Sequence, residues 1–123
     1  MTHILVVDDS PTELHVYQQI LTKHGFTVSV ANNGEEGVQK AQAEGPDLIF
    51  MDVVMPVLNG FQATRELTRN AKTSDIPVVM VSSKDQETDV LWAERQGAQG
   101  YLVKPAKEKQ LLACINDILG KRR

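Results

Sequence analysis

Asp8, Asp9, Asp52, Ser82 and Lys104 are the residues of this chain whose types and placement could do chemistry, because they stand where short apolar runs stop. Asp8-Asp9 follows Ile4-Leu5-Val6-Val7, Asp52 follows Leu48-Ile49-Phe50-Met51, Ser82 follows the run from Ile76 to Val81, and Lys104 follows Gly100-Tyr101-Leu102-Val103. Taken singly each has an ordinary explanation: a helix-opening acid, a turn hydroxyl, an exposed lysine before a proline. Together on one edge they would need several coincidences. Two carboxylates about 5 Å apart repel by roughly 3 kcal/mol at an effective dielectric near 20, so a carboxylate cluster calls for a cation. The side-chain ligands on offer are oxygens, with no Cys or His cluster beside them, and a hard, water-retaining ion such as Mg2+ suits them better than Zn2+. Lys104 as a point charge and Ser82 as a hydroxyl would complete a pocket for phosphoryl oxygens. The chemistry implied is phosphoryl transfer, with Asp52 as the oxygen nucleophile.

Such a constellation needs elements that bring several chain segments to one edge. The Ile4–Val7 run is short, apolar and β-branched, as in a central parallel strand. Ser10-Pro11-Thr12-Glu13 reads as a capping box, with Glu13 returning to the cap's N–H, and opens a helix whose inner stripe is Leu14, Tyr17, Ile20, Leu21 and His24, stopped by Gly25. Phe26 to Ala31 alternates in polarity like a strand near a sheet edge, and Asn32-Asn33-Gly34 opens a thinner helix closed by Gly45-Pro46. Leu48 to Met51 reads as a strand buried on both faces, with Met55 to Gly60 as loop and Phe61, Thr64 and Leu67 marking a third helix that fades near Asn70 to Ser74. A fourth strand spans Ile76 to Val81. A fourth helix runs from Gln86 to Gln96 with Val90, Leu91 and Ala93 inward, and a fifth strand covers Gly100 to Val103. Leu111, Leu112, Ile115, Ile118 and Leu119 stripe the last helix. Five strands alternating with five helices predict an α/β fold, an open doubly wound parallel sheet whose sites form at the carboxyl ends of the strands.

Composition bounds the rest. The 123 residues, 41% of them hydrophobic, suit one domain over residues 1–123. Thirteen basic and 16 acidic residues leave a net charge of -3, which offers nucleic acid or an anionic membrane no broad attraction. The Lys121-Arg122-Arg123 end reads as a solvated tail. A single cysteine, Cys114, excludes an internal disulfide and fits a reducing compartment. With no secretory signal and no run of membrane-spanning length, a soluble cytoplasmic protein without membrane insertion is expected.

The motifs Val7-Asp8-Asp9-Ser10, Met51-Asp52 with Met55-Pro56 and Gly60, Val81-Ser82, and Tyr101-Leu102-Val103-Lys104-Pro105 resemble those of response-regulator receiver domains of two-component signalling, over essentially the whole chain. The resemblance implies the flavodoxin-like strand order 2-1-3-4-5. It implies Asp52 as phospho-acceptor, a Mg2+ site made by Asp8, Asp9, Asp52 and the Val54 carbonyl, and Lys104 pairing with the phosphoryl group. Ser82 would be the hydroxyl that moves toward the phosphate and Tyr101 the aromatic that reports the change. The bond before Pro105 would be cis. The output face would be formed by the fourth helix, fifth strand and fifth helix. The runs DDSPTE, MPVLNGFQATR and SSKDQETD are similar to single-domain regulators of type IV pilus chemosensory systems governing twitching motility. The implied phosphodonor is a chemotaxis-type histidine kinase, the output a downstream protein, and the assembly a monomer or weak dimer. Such a domain catalyses only its own phosphorylation and slow dephosphorylation. A phosphate sink or an aspartyl-phosphate phosphatase is the alternative, although a phosphatase would want a carboxylate where Val54 stands. A flavin or nucleotide module ranks last, since the first turn is Asp-Asp-Ser-Pro rather than glycine-rich.

Overall fold

The computed structural model describes residues 1–120, so the basic tail read from the sequence lies outside the described residues. The elements follow one another as β1 (His3–Val7), α1 (Pro11–Lys23), β2 (Thr27–Ala31), α2 (Gly34–Glu44), β3 (Leu48–Asp52), α3 (Gly60–Arg69), β4 (Val78–Ser82), α4 (Glu87–Arg95), β5 (Gly100–Val103) and α5 (Glu108–Gly120). All five strands are parallel, in the order β2-β1-β3-β4-β5. This is the flavodoxin-like order, and the strand read as nearer an edge, β2, is at one.

Period-two alternation sorts the core into two layers. Ile4 and Val6 of β1, Leu48 and Phe50 of β3, and Val79 and Val81 of β4 pack with Leu14, Tyr17 and Leu21 of α1 and Leu111 and Ile115 of α5. The Tyr17 and Phe50 rings stack there at 6.3 Å. Leu5, Val7, Ile49, Met51, Val78 and Met80 face the other way, onto Val38, Ala41, Ala63, Leu67 and Ala93 of α2, α3 and α4. Both faces of β1, β3 and β4 are thus covered, which is why these strands read as unbroken apolar runs.

Three local readings are corrected. His24 is not inward: it is the exposed C-cap residue of α1, 3.5 Å from Glu108, and Gly25 at φ +87° ends the helix behind it. Leu91 is not inward either. It is 49% exposed, Val90 is half-buried, and only Ala93 of α4 is buried, because this short helix crosses the sheet on a single small residue. The third correction, at Glu13, belongs to the site. Asn59 also forms a reciprocal capping box with Gln62 at the start of α3, inside a stretch read only as loop.

The loop from β3 to α3 carries one strained residue. Val57 adopts φ +70° with its side chain 78% exposed, a conformation in which a β-branched residue crowds its own backbone. Its side chain contributes little burial to offset that strain. Val57→Gly should therefore raise stability by about 1 kcal/mol, the relief exceeding the entropy a glycine adds to the unfolded chain. Urea midpoints of the two proteins measure this, and a less stable glycine variant would contradict the strain.

Candidate functional site

The strand alternation that builds the core also distributes the site residues. Asp52 ends β3 in the row of Leu48 and Phe50, and Asp8 follows the row of Ile4 and Val6. Lys104 follows Leu102 at the same parity, and the three side chains meet at the carboxyl edge of the sheet. Lys104 Nζ lies 3.1 Å from Asp8 Oδ2 and 3.2 Å from Asp52 Oδ1. Carboxylate oxygens of Asp8, Asp9 and Asp52 all fall within 4.8 Å of one another, with Asp8 and Asp52 buried and Asp9 exposed.

Backbone contacts fix the acids individually. Asp8 Oδ1 accepts the Ser10 N–H at 2.9 Å, and Asp52 Oδ1 accepts the Val53 N–H at 2.9 Å. Gly60 holds the Asp52 main chain in place: its N–H donates to the Val53 carbonyl at 2.8 Å, and a Cβ there would stand 2.0 Å from the Asp52 carbonyl oxygen. No side chain fits in that gap.

Ser10 caps α1, its hydroxyl accepting the Glu13 N–H at 3.3 Å, but the expected return contact is absent. Asp8 has taken the Ser10 N–H. Glu13 instead reaches Lys104, with Oε2 2.9 Å from Nζ, the shortest of the three contacts to that ammonium. Reading Glu13 as a capping residue hid it. The signal that could have found it is its place in the first turn of the helix that starts at the reactive edge.

Ser82 and Tyr101 sit on the other face by parity. Ser82 is buried, its Oγ accepting the Lys84 N–H at 3.1 Å, and its carbonyl accepts the Lys104 N–H at 2.8 Å. The half-buried Tyr101 donates its hydroxyl to the Lys84 carbonyl at 2.8 Å. Val54, two residues beyond Asp52, is 62% exposed. The Lys104–Pro105 bond is cis, as the resemblance implied.

Electrostatics explain the tension here. Burial pushes Asp8 up to about 6, with the Asp52 charge adding to it while the Ser10 N–H and Lys104 oppose it. Asp52 is raised too, burial outweighing Lys104 and the Val53 N–H. Burial works against the Lys104 charge, yet Glu13, Asp52 and Asp8 together hold its pKa above the ordinary lysine value. One ammonium does not neutralise this many carboxylates. The all-oxygen donor set and the remaining negative charge therefore fit a divalent cation held by Asp8, Asp9 and Asp52.

Residues 4–116 match the family described as Response regulator receiver domain. The chain is 56% identical over 119 residues to Protein PilH of Pseudomonas aeruginosa PAO1, covering 97% of this chain and 98% of that one. It superposes on the Vibrio cholerae chemotaxis protein CheY4 with a TM-score of 0.91 at 30% identity, covering 96% and 98% of the two chains. It also resembles the receiver domain of the sensor histidine kinase PA1611 from Pseudomonas aeruginosa PAO1, with a TM-score of 0.90 and 28% identity over 97% of this chain and 98% of that one. That structure has a magnesium ion coordinated in its active site cleft.

The raised Asp8 carboxyl makes a stability prediction whose sign is fixed. Below its ordinary value of 3.8 folded and unfolded chains both hold the proton, so Asp8 costs nothing; the cost grows as pH rises to about 6 and is constant above. In metal-free buffer at about pH 7.5, Asp8→Asn should be more stable than wild type by about 3 kcal/mol. That advantage should shrink toward about pH 4.5. Paired urea titrations read it, and a variant less stable at the higher pH would refute the assigned cost.

Proposed function

The chain belongs to the response regulator receiver domain family, and on that basis we propose that it accepts a phosphoryl group from a phosphohistidine on Asp52 and thereby switches a protein-binding face. Residues 1–123 act as one such domain. The observation that carries the reading is the meeting of Lys104 with Asp8 and Asp52 inside the three-carboxylate cluster. A receiver catalyses its own phosphorylation and dephosphorylation rather than the turnover of a separate substrate.

In the proposed step a carboxylate oxygen of Asp52 attacks phosphorus as the bond to the histidine nitrogen breaks, and the electron pair of that bond leaves with the imidazole. The strand fixes Asp52 in line, and its hydrogen bond to the Val53 N–H orients the carboxylate. Asp8, Asp9, Asp52 and the Val54 carbonyl would hold Mg2+, which when bound supplies positive charge against the transferring oxygens. Lys104 meets the charge on the phosphoryl oxygens, and Ser82 supplies a hydroxyl from the neighbouring strand end. Val54 brings no carboxylate to the position two residues beyond Asp52, which disfavours a dedicated phosphatase.

The new charge would be read through Ser82 and Tyr101 on the face of α4, β5 and α5. The partly exposed Leu91, Trp92 and Val103 give that face apolar contact for a downstream protein. The likeness to PilH supports a place in chemotaxis-like control of type IV pili and twitching motility, downstream of a chemotaxis-type histidine kinase. Among the described residues no helix is long and apolar enough to cross a membrane, and a cytoplasmic location accords with the reading.

Asp52→Asn should lose essentially all labelling by a small-molecule phosphodonor in Mg2+, followed by intact-mass spectrometry. Labelling at the wild-type rate would overturn Asp52 as the acceptor.

A further inference from the structure

Lys104 is shared among carboxylates with different obligations. Asp8 and Asp52 belong to the cluster whose oxygens lie within 4.8 Å of one another, while Glu13 does not. Glu13 nevertheless makes the shortest contact to the ammonium, 2.9 Å against 3.1 Å for Asp8 and 3.2 Å for Asp52. It is free to do so because Asp8 Oδ1 has taken the Ser10 N–H that a residue three places into the helix would otherwise accept. A groove of about 190 Å3 lined by Glu13, Tyr17, Lys104 and Pro105 adjoins the pair.

From this geometry we infer that Glu13 is a parking carboxylate for Lys104: it holds the ammonium beside the site and competes with a phosphoryl group on Asp52 for it. A cation entering the cluster draws on Asp8 and Asp52 and weakens their hold on Lys104, but leaves Glu13 uncommitted. A phosphoryl group adds negative charge at Asp52, and Lys104 meets it only by loosening its contact with Glu13. The Glu13 charge therefore favours the unphosphorylated arrangement and makes Glu13 a positioning residue that acts through Lys104. This rests on the phosphoryl-transfer reading, and the test separates the two.

Two variants distinguish direct pairing from a general field. Glu13→Gln removes the charge; Glu13→Asp keeps it but draws it back by about one C–C bond, roughly 1.5 Å, out of hydrogen-bond reach. Both residue types are accepted in a first helical turn, and thermal melts check that each variant folds. In metal-free protein labelled with 15N-lysine, the Lys104 ammonium signal should exchange faster in both variants than in wild type, one of its three carboxylate contacts being gone while Asp8 and Asp52 remain. In saturating Mg2+, the concentration of beryllofluoride giving half-maximal shift of backbone NMR signals should fall about three- to fivefold in both variants, as expected for release of one partly exposed ion pair.

If only Glu13→Gln tightens the anion, the effect is field alone and the pairing role is overturned. Unchanged or weaker binding in both variants overturns the competition, and so does an ammonium exchange rate that matches wild type in both. A wild-type protein blind to beryllofluoride overturns the phosphoryl-transfer reading and this inference with it, whereas a responsive wild type with unresponsive variants sinks the inference alone.

Discussion

The structure depends on keeping carboxylates together at the end of a buried parallel sheet. Asp8 and Asp52 are each less than 10% exposed, and a third acid, Asp9, stands beside them. Each pair at such spacing costs roughly 3 kcal/mol at an effective dielectric near 20, comparable with the loss of a core methyl cluster. Lys104 is what makes the arrangement tolerable, and it arrives from the far end of the chain through a single strand, β5. Burial nevertheless wins at both acids, whose pKa values rise despite the ammonium. The site is therefore held under charge, and its resting state is one that a cation or a proton relieves.

The strands convert that charge problem into geometry. Because side chains alternate, a one-residue slip of β1 or β3 would turn Asp8 or Asp52 to the opposite face and send an apolar row into the wrong layer. The core thus fixes the register of the site without any contact dedicated to it. The Ile4↔Leu48 and Asp52↔Val81 pairings transmit this registration across β1, β3 and β4. Gly60 completes it, since the main chain of α3 approaches the Asp52 carbonyl closer than any side chain would allow. Gly34 permits a similar approach of α2 to the Leu58 carbonyl, so the loop carrying Val54 and Val57 is pinned at both ends.

Most of this was legible in the sequence because it is periodic. The rows Ile4 to Val7 and Leu48 to Met51 announce central strands, Ser10 announces a cap, Asn32-Asn33-Gly34 announces a helix start, and the charged residues that end apolar runs announce the reactive edge. Strand order was not legible from spacing, and came from the family likeness of motifs such as Val7-Asp8-Asp9-Ser10. What failed were residues whose local and tertiary roles compete. Glu13 has the spacing of a capping box, but Asp8 claims the N–H first, and nothing in the local pattern reports a partner as distant in sequence as Lys104. His24 continues the 3.6-residue period one step past the point where the backbone leaves the helix. Leu91 has the right period for burial, yet α4 rests on Ala93 alone and leaves Leu91 and Trp92 each 49% exposed. Helical periodicity shows that a stripe exists; it does not show whether the sheet beneath is wide enough to cover it.

That same shortfall of cover has a physical consequence. α4 follows the strand that ends in Ser82, and its amino-terminal loop is joined to β5 through the hydrogen bond from Tyr101 to the Lys84 carbonyl. Lys84 in turn donates its N–H to Ser82 Oγ. A change of charge at Asp52 that redirects the Ser82 hydroxyl would therefore act on a loop held by few bonds and on a helix anchored by one buried alanine, whereas α1 and α5 meet a continuous apolar layer. The element least secured by the core is the one that follows Ser82 at the carboxyl edge of the sheet. Low local stability of that kind would let a small electrostatic event move one face of a domain while the register of its sheet stays fixed.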